Sequence, residues 1–259
     1  MLRARLTLAW HLDRTERRLR RAGEKLGWPQ PWLQEFAEVT GDPRITIEEF
    51  WVRYATRRER AQEQMLAVKT EEDALGFYAT SDYLLYRQII HRRHAAWRTV
   101  LAGMSRPQGT LLEFGCGIGP VSAWCARRRP AWSFALWDVP GPHRDYARAR
   151  LLRLHDSCLV ADDAADVDVI TALDVFEHCA DPLAAARRLV ATLRPGGLLY
   201  WNFVEPHGAR GDLDLATPTQ RAETLAYLRE ALACVWQRPG LIVSEARDHA
   251  VRARERGPA

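Results

Sequence analysis

Lysine is nearly missing from this chain. Of its 37 basic residues only Lys25 and Lys69 are lysines, and the rest are arginines. The 33 acidic residues are interleaved with them and the formal net charge is +4. The composition therefore writes no single-signed surface for a nucleic-acid backbone. Long apolar runs are missing too. Near the start, "LTLAW" is interrupted by charge well short of the roughly 7 to 15 residues of a secretory apolar region or the roughly 18 of a membrane span. A cytoplasmic location and no membrane partner are the expectation. The five cysteines, Cys116, Cys125, Cys158, Cys179 and Cys234, are odd in number and scattered, with no CxxC. Neither a disulfide framework nor a zinc site follows from such spacing. His91 and His94 share a helical face but lack a third ligand, so no metal is expected.

What is present is ordinary globular material: 259 residues, 47% of them hydrophobic, enough for one large domain or for a core with an appendage. From Met1 to about Leu101 the pattern is helical. Leu12, Leu19, Ala22 and Leu26 fall at helical spacing and are expected to form the buried face of a first helix. "GWPQPW" then breaks the chain. Thr46 and Glu49 have the spacing of a capping box, ahead of a helix whose face carries Phe50, Tyr54, Ala61 and Met65. A third helical segment runs from Ser81 to about Leu101, with Leu85, Ile89 and Trp97 on one side.

At Thr110 the texture changes. "TLLEF", "SFALWD", "SCLVA", "VDVITAL" and "LLYWNFV" read as buried strands separated by helices, and "ACVW" with "LIVSEA" reads as a closing hairpin across "QRPG". Alternating strands and helices predict a doubly wound α/β core with a mostly parallel sheet, residues 105–259, behind an all-helical N-terminal segment, residues 1–104. Such sheets bind ligands beyond the carboxyl ends of their strands.

The first strand runs into "LLEFGCGIGP", with glycines at 115, 117 and 119. A dinucleotide loop wants its third glycine three residues after the second, so that a pyrophosphate reaches the helix N-terminus, and Pro120 stands there instead. Glu113, two residues ahead of the first glycine, would repel a pyrophosphate and welcome a cation. Asp138 ends the next strand, where a carboxylate accepts both hydroxyls of a ribose. A ligand with a ribose, a positive charge and no phosphate fits this set, and S-adenosylmethionine is such a ligand.

Taken together, "LLEFGCGIGP", "ALWDVPG" and "VDVITALDVFEHCADPLAAARRLVATLRPGGLLYWNF" resemble the ordered strand motifs of the class I S-adenosylmethionine-dependent methyltransferases, in particular the small-molecule branch with an E-H dipeptide after strand four. The resemblance covers about residues 105 to 246 and implies the Rossmann-like methyltransferase fold with a seven-stranded sheet. It implies S-adenosylmethionine as methyl donor, with S-adenosylhomocysteine as product. Glu113 would lie near the methionine amino group, and Gly115, Cys116, Gly117 and Gly119 under the carboxylate end and the sugar. Asp138 would bind the ribose, Val139 the adenine, and Asp162 or Asp163 the adenine amino group, Asp162 being nearer its strand. Leu173 would line the crevice after strand four.

Methyl transfer is an in-line displacement, so the protein must position the acceptor and, for a protonated acceptor, supply a base. His178 is the best candidate, because an imidazole can take a phenol or hydroxyl proton near neutral pH, and His207 is the second. Asp174, Glu177, Asn202 and Glu205 share the crevice. Tyr78 and Tyr83 belong to a segment rich in polar aromatics that could close over the sulfonium by cation–π attraction, or could simply pack between helices. No N-P-P-Y motif and no Pro-Cys nucleophile is present, which makes nucleic-acid methylation a minority reading beside a small-molecule acceptor. A protein acceptor, a nicotinamide-dependent reductase and a non-catalytic scaffold compete with it less well. The N-terminal helices could pack on their own core or pair two copies into a homodimer.

Overall fold

The computed structural model describes residues 1–25, 31–91, 96–155, 158–160, 164–204 and 213–247. Among the described residues six helices precede the sheet: α1 (Leu2–Lys25), α2 (Pro31–Thr40), α3 (Ile47–Ala67), α4 (Glu71–Thr80), α5 (Tyr83–His91) and α6 (Trp97–Gly103). Then come β1 (Gly109–Phe114), α7 (Pro120–Ala126), β2 (Trp132–Trp137), α8 (Pro142–Leu152), β3 (Cys158–Val160), β4 (Val167–Ala172), α9 (Pro182–Thr192), β5 (Leu193–Trp201), α10 (Pro218–Ala231), β6 (Leu232–Arg238) and β7 (Leu241–Ala246). A short 3₁₀ turn, Phe176–His178, follows β4.

The strands form one sheet in the order β3-β2-β1-β4-β5-β7-β6. The five strands β1 to β5 are parallel, and β7 is antiparallel to both β5 and β6. Six strands run six residues or more, and β3 runs three. The doubly wound expectation therefore holds, with the predicted closing hairpin as its antiparallel edge. Side chains alternate between two cores, as the two-residue period of a strand requires. Leu111, Phe134, Leu136, Val169, Leu198 and Tyr200 face one core, shared with α1, α6, α7 and α8. Leu112, Ala135, Ile170, Leu199 and Trp201 face the other, shared with α9 and α10. Every residue of β4 is buried, which is why it reads as a continuous apolar run despite carrying Asp168.

The expected capping box is present: Thr46 accepts from the Glu49 N–H at 3.2 Å and Glu49 accepts from the Thr46 N–H at 2.9 Å. Two more, Thr70 with Asp73 and Thr217 with Gln220, start α4 and α10. The face expected to be buried on α1 is wrong. Leu12 and Leu19 are 49% and 58% exposed, whereas Leu6, Ala9 and Asp13 are buried. Asp13 misled the phase, because a carboxylate occupies the inner stripe: it accepts from the Thr99 N–H at 3.1 Å and the Thr99 hydroxyl at 2.8 Å. Burial pushes its pKa up to about 6. α1 also meets the far edge of the sheet, where the Trp236 indole donates to the Thr7 hydroxyl at 3.0 Å. Its inner face thus docks on its own chain, which lends no support to a homodimer built through it.

The segment expected as one helix from Ser81 is two, α5 and α6. The arginine run after α7 is used internally. Arg127 pairs with Glu35 at 3.0 Å, and Arg128 lies over the stacked rings of Trp97 and Trp124. Among the described residues no helix is long and apolar enough to cross a membrane, and Cys116, Cys125, Cys179 and Cys234 are thiols outside any disulfide.

Candidate active site

The site candidates gather at the carboxyl ends of β1, β2, β4 and β5. The turn from β1 into α7 needs its glycines: Gly115, Gly117 and Gly119 have φ of 64°, 50° and 63°, a left-handed region that side chains resist. Space is short as well. A Cβ on Gly115 would come within 2.7 Å of Val175 Cγ1, and one on Gly117 within 2.8 Å of Gln88 Nε2.

The hydrogen bonds of this turn account for every backbone N–H from residue 116 to residue 122. Cys116 donates to the Trp137 carbonyl at 3.0 Å and Gly119 to the Cys116 carbonyl at 2.7 Å. Gly117 donates to Asp138 Oδ2 at 2.7 Å, and Ile118 donates to Gln88 Oε1 at 2.9 Å. Pro120 has no N–H, and Val121 and Ser122 donate to the two oxygens of Glu113 at 3.1 and 2.7 Å. Glu113 is therefore bound to the start of α7. It is buried, and that burial raises its carboxyl above the usual carboxylate range. This is a different placement from the one the resemblance implies, in which Glu113 meets a ligand amine.

Asp138 does stand at the end of β2, largely buried, with Oδ1 accepting from the Val139 N–H at 2.8 Å and facing His143 Nε2 at 3.3 Å. His143 is buried, and its Nδ1 has no hydrogen-bond partner. Nothing in the local sequence flagged His143, because its value lies in being five residues beyond Asp138 on the first turn of α8. Cys116 and Leu173 are both buried in the core beneath.

Across the sheet, β4 ends in a left-handed residue that is not glycine: Asp174 has φ 54°. It is held by a reciprocal pair with Asn202, the Asp174 N–H donating to Asn202 Oδ1 and the Asn202 amide donating to Asp174 Oδ1, each at 2.6 Å. Asp is among the residues that enter this region most readily, and Asp166, just ahead of β4, shares it at φ 54°. Glu177 is buried with Oε2 unpartnered, and burial, aided by the Asp174 and Asp214 charges, pushes its pKa up to about 8. Its carbonyl accepts from the Leu215 and Ala216 N–H groups at 2.9 and 3.1 Å.

His178 is about a quarter exposed, and its Nδ1 lies 2.9 Å from the Leu213 carbonyl and 3.5 Å from Asp214 Oδ1. A carbonyl only accepts, so Nδ1 carries the proton and Nε2 is left with its lone pair. Tyr78 joins this group, its hydroxyl donating to the same Leu213 carbonyl at 3.3 Å and its ring 6.2 Å from the imidazole. Tyr83 does not. It is buried among Ala61, Phe77 and Leu84 with its ring stacked on Tyr54, so helix packing describes it. Asp162, Asp163, Glu205 and His207 lie outside the described residues, as do His94 and the side chain of His91.

A family described as a methyltransferase domain matches residues 86–241, more than half of the chain. The chain belongs to that family. Its strand order and glycine turn are those of the class I S-adenosylmethionine-dependent methyltransferase fold. Ubiquinone biosynthesis O-methyltransferase of Coxiella burnetii (strain RSA 493 / Nine Mile phase I) is 27% identical over 100 residues, 36% of this chain and 43% of that protein. The protein of the same name from Neisseria meningitidis serogroup A is 28% identical over 104 residues, with the same two shares. The methyltransferase thus spans less than half the length of these curated relatives. Among solved structures, the CurJ carbon methyltransferase has a TM-score of 0.52 at 14% identity, covering 85% of this chain and 72% of that one. That likeness shows the fold.

Proposed function

We propose that this methyltransferase moves the methyl group of S-adenosylmethionine to an oxygen or nitrogen of a small molecule. The observation that carries the choice of donor is the accounting of the glycine turn. A phosphate-binding turn offers free N–H groups to its anion. Here each N–H from residue 116 to residue 122 is already bonded within the chain. A pyrophosphate finds no free donor among them, which argues against the nicotinamide reductase. A cofactor without phosphate makes no such demand and needs a sugar acceptor, for which Asp138 retains free lone pairs. Gly115, Gly117, Gly119 and Asp138 would hold it, with Val139 beside the base.

When bound, S-adenosylmethionine supplies an electrophilic methyl on a sulfonium. The chain's own contribution is on the β4 and β5 side. The Leu213 carbonyl and Asp214 orient His178 so that Nε2 can take a proton from a phenol, hydroxyl or ammonium acceptor. Tyr78 and the Asp174–Asn202 pair shape the space in which that acceptor sits. The curated relatives are named as O-methyltransferases, which agrees with an oxygen acceptor.

Calorimetry tests the donor: S-adenosylhomocysteine should bind and NADH should not, and the opposite result would sink the proposal. A panel of phenols, carboxylic acids and amines, followed by mass spectrometry for a gain of one methyl, tests the acceptor class.

A further inference from the structure

The saturated glycine turn raises a question about the other end of the cofactor. Its amino-acid carboxylate needs donors, and the N–H groups from residue 116 to residue 122 are already bonded within the chain. We infer that Gln88, on α5, completes the cofactor site by donating its side-chain amide to that carboxylate; the inference rests on the proposed use of S-adenosylmethionine.

The orientation of the Gln88 amide is decided by its partner. Ile118 N–H is a donor, so the atom 2.9 Å from it is the acceptor Oε1, and the NH₂ group points away from that bond. That NH₂ donates to no described residue, and it lies 2.8 Å from where a Gly117 Cβ would be. Gln88 is half-buried, and its amide packs against Gly117, with Oε1 the atom nearest to where a Cβ would stand and Nε2 beside it. A donor in such a place calls for an acceptor, and the one anionic group of the proposed cofactor is its carboxylate.

The rest of α5 explains why the amide stays there. Leu85, Tyr86 and Ile89 pack with Ile118, Phe36, Phe50 and Tyr146 in one cluster, so the helix and the turn share a core. Arg150, the cation bonded to the turn, is already engaged: it forks Glu35 at 3.0 and 2.8 Å and donates to the Ile118 carbonyl at 3.2 Å. The N-terminal helices would then be part of the cofactor site, with Gln88 as their contact to it.

The decisive experiment compares two ligands on one variant. Gln88→Glu keeps an oxygen for the Ile118 N–H but replaces the donor by a negative charge. S-adenosylhomocysteine carries the carboxylate; 5′-methylthioadenosine has the base, sugar and sulfur without it. The expected result is a loss of about 10- to 100-fold for S-adenosylhomocysteine, the worth of a hydrogen bond to a charged group, with 5′-methylthioadenosine changed by less than about twofold. Gln88→Met, of similar length with no donor, should give the same split, and thermal melting of both variants checks that the fold is kept. Equal weakening of the two ligands, or no weakening of either, would overturn the inference. Failure of the unaltered protein to bind S-adenosylhomocysteine would instead strike at the choice of donor, and is read from a separate titration.

Discussion

One strand, β4, carries a buried carboxyl near each of its ends, and the two ends treat it in opposite ways. At the amino end, Asp168 accepts from the Thr110 N–H at 2.8 Å and pairs with Arg106 at 3.0 Å and with Arg194. Burial pushes this carboxyl up, but those donors outweigh it and hold it below the usual range. Past the carboxyl end, Glu177 forms no ion pair with a cation among the described residues, and it has one oxygen without a partner and two neighbouring acids. The same chemical group is thus fastened at one end and left reactive at the other. The sheet places structural charge where its polarity can be satisfied and unsatisfied charge where a ligand belongs.

Mutations can break this contrast, beginning with the largest expected effect. His178→Ala should lower kcat by about 10²- to 10⁴-fold, the usual worth of a positioned base, while S-adenosylhomocysteine affinity stays within about twofold. An unchanged kcat would remove His178 from the chemistry. Asp138→Ala should weaken S-adenosylhomocysteine by about 100-fold in calorimetry, because it removes the sugar acceptor and frees the Gly117 N–H. Asp168→Asn should leave ligand affinity alone and cost about 2 kcal/mol in denaturant unfolding, since charged bonds to two arginines are lost at a site away from the crevice.

Glu177→Gln sharpens the other end through pH. A Glu that ordinarily titrates near 4.5 is raised to about 8 here, so folding holds a proton that the unfolded chain releases. Stability from this group is complete below about pH 4.5 and declines as pH rises towards 8. The Gln variant should lack that decline, so the difference between its melting temperatures at pH 5 and pH 8 should be smaller than in the unaltered protein. Thr70→Ala, which removes the capping box of α4 far from β4, should cost about 1 kcal/mol and change neither affinity nor pH dependence.

Features encoded locally were legible before the structure. The glycine spacing, the place of Asp138 at a strand end, the succession of strands along the chain and the Thr46 box each depend on residues close in sequence, and the fold reproduces them. Misreadings arose where a tertiary partner decides. Asp13 sits on the inner stripe of α1 because Thr99, 86 positions away, supplies its hydrogen bonds. Tyr83 has the composition of a lid residue, and only the stack on Tyr54 reveals it as packing. Glu113 was recognised, yet its two bonds to the start of α7 depend on how tightly the turn folds back. Gln88 and His143 gave no motif, and Asp174 and Asn202 were legible as crevice residues but not as a pair, since the fold brings together positions 30 and 28 residues apart in the Gln88 and Asn202 contacts.

The fork between Arg150 and Glu35 bears on how this protein could be cut and recombined. Arg150 belongs to α8 in the sheet half, Glu35 to α2 in the helical half, and the Ile118 carbonyl lies between them at the glycine turn. A chimera that grafts another enzyme's helical half onto this sheet must therefore bring an acid where Glu35 stands and an amide where Gln88 stands. Without them a buried guanidinium and a backbone N–H are orphaned at the rim of the site. The two halves are better exchanged as a matched pair than as interchangeable parts.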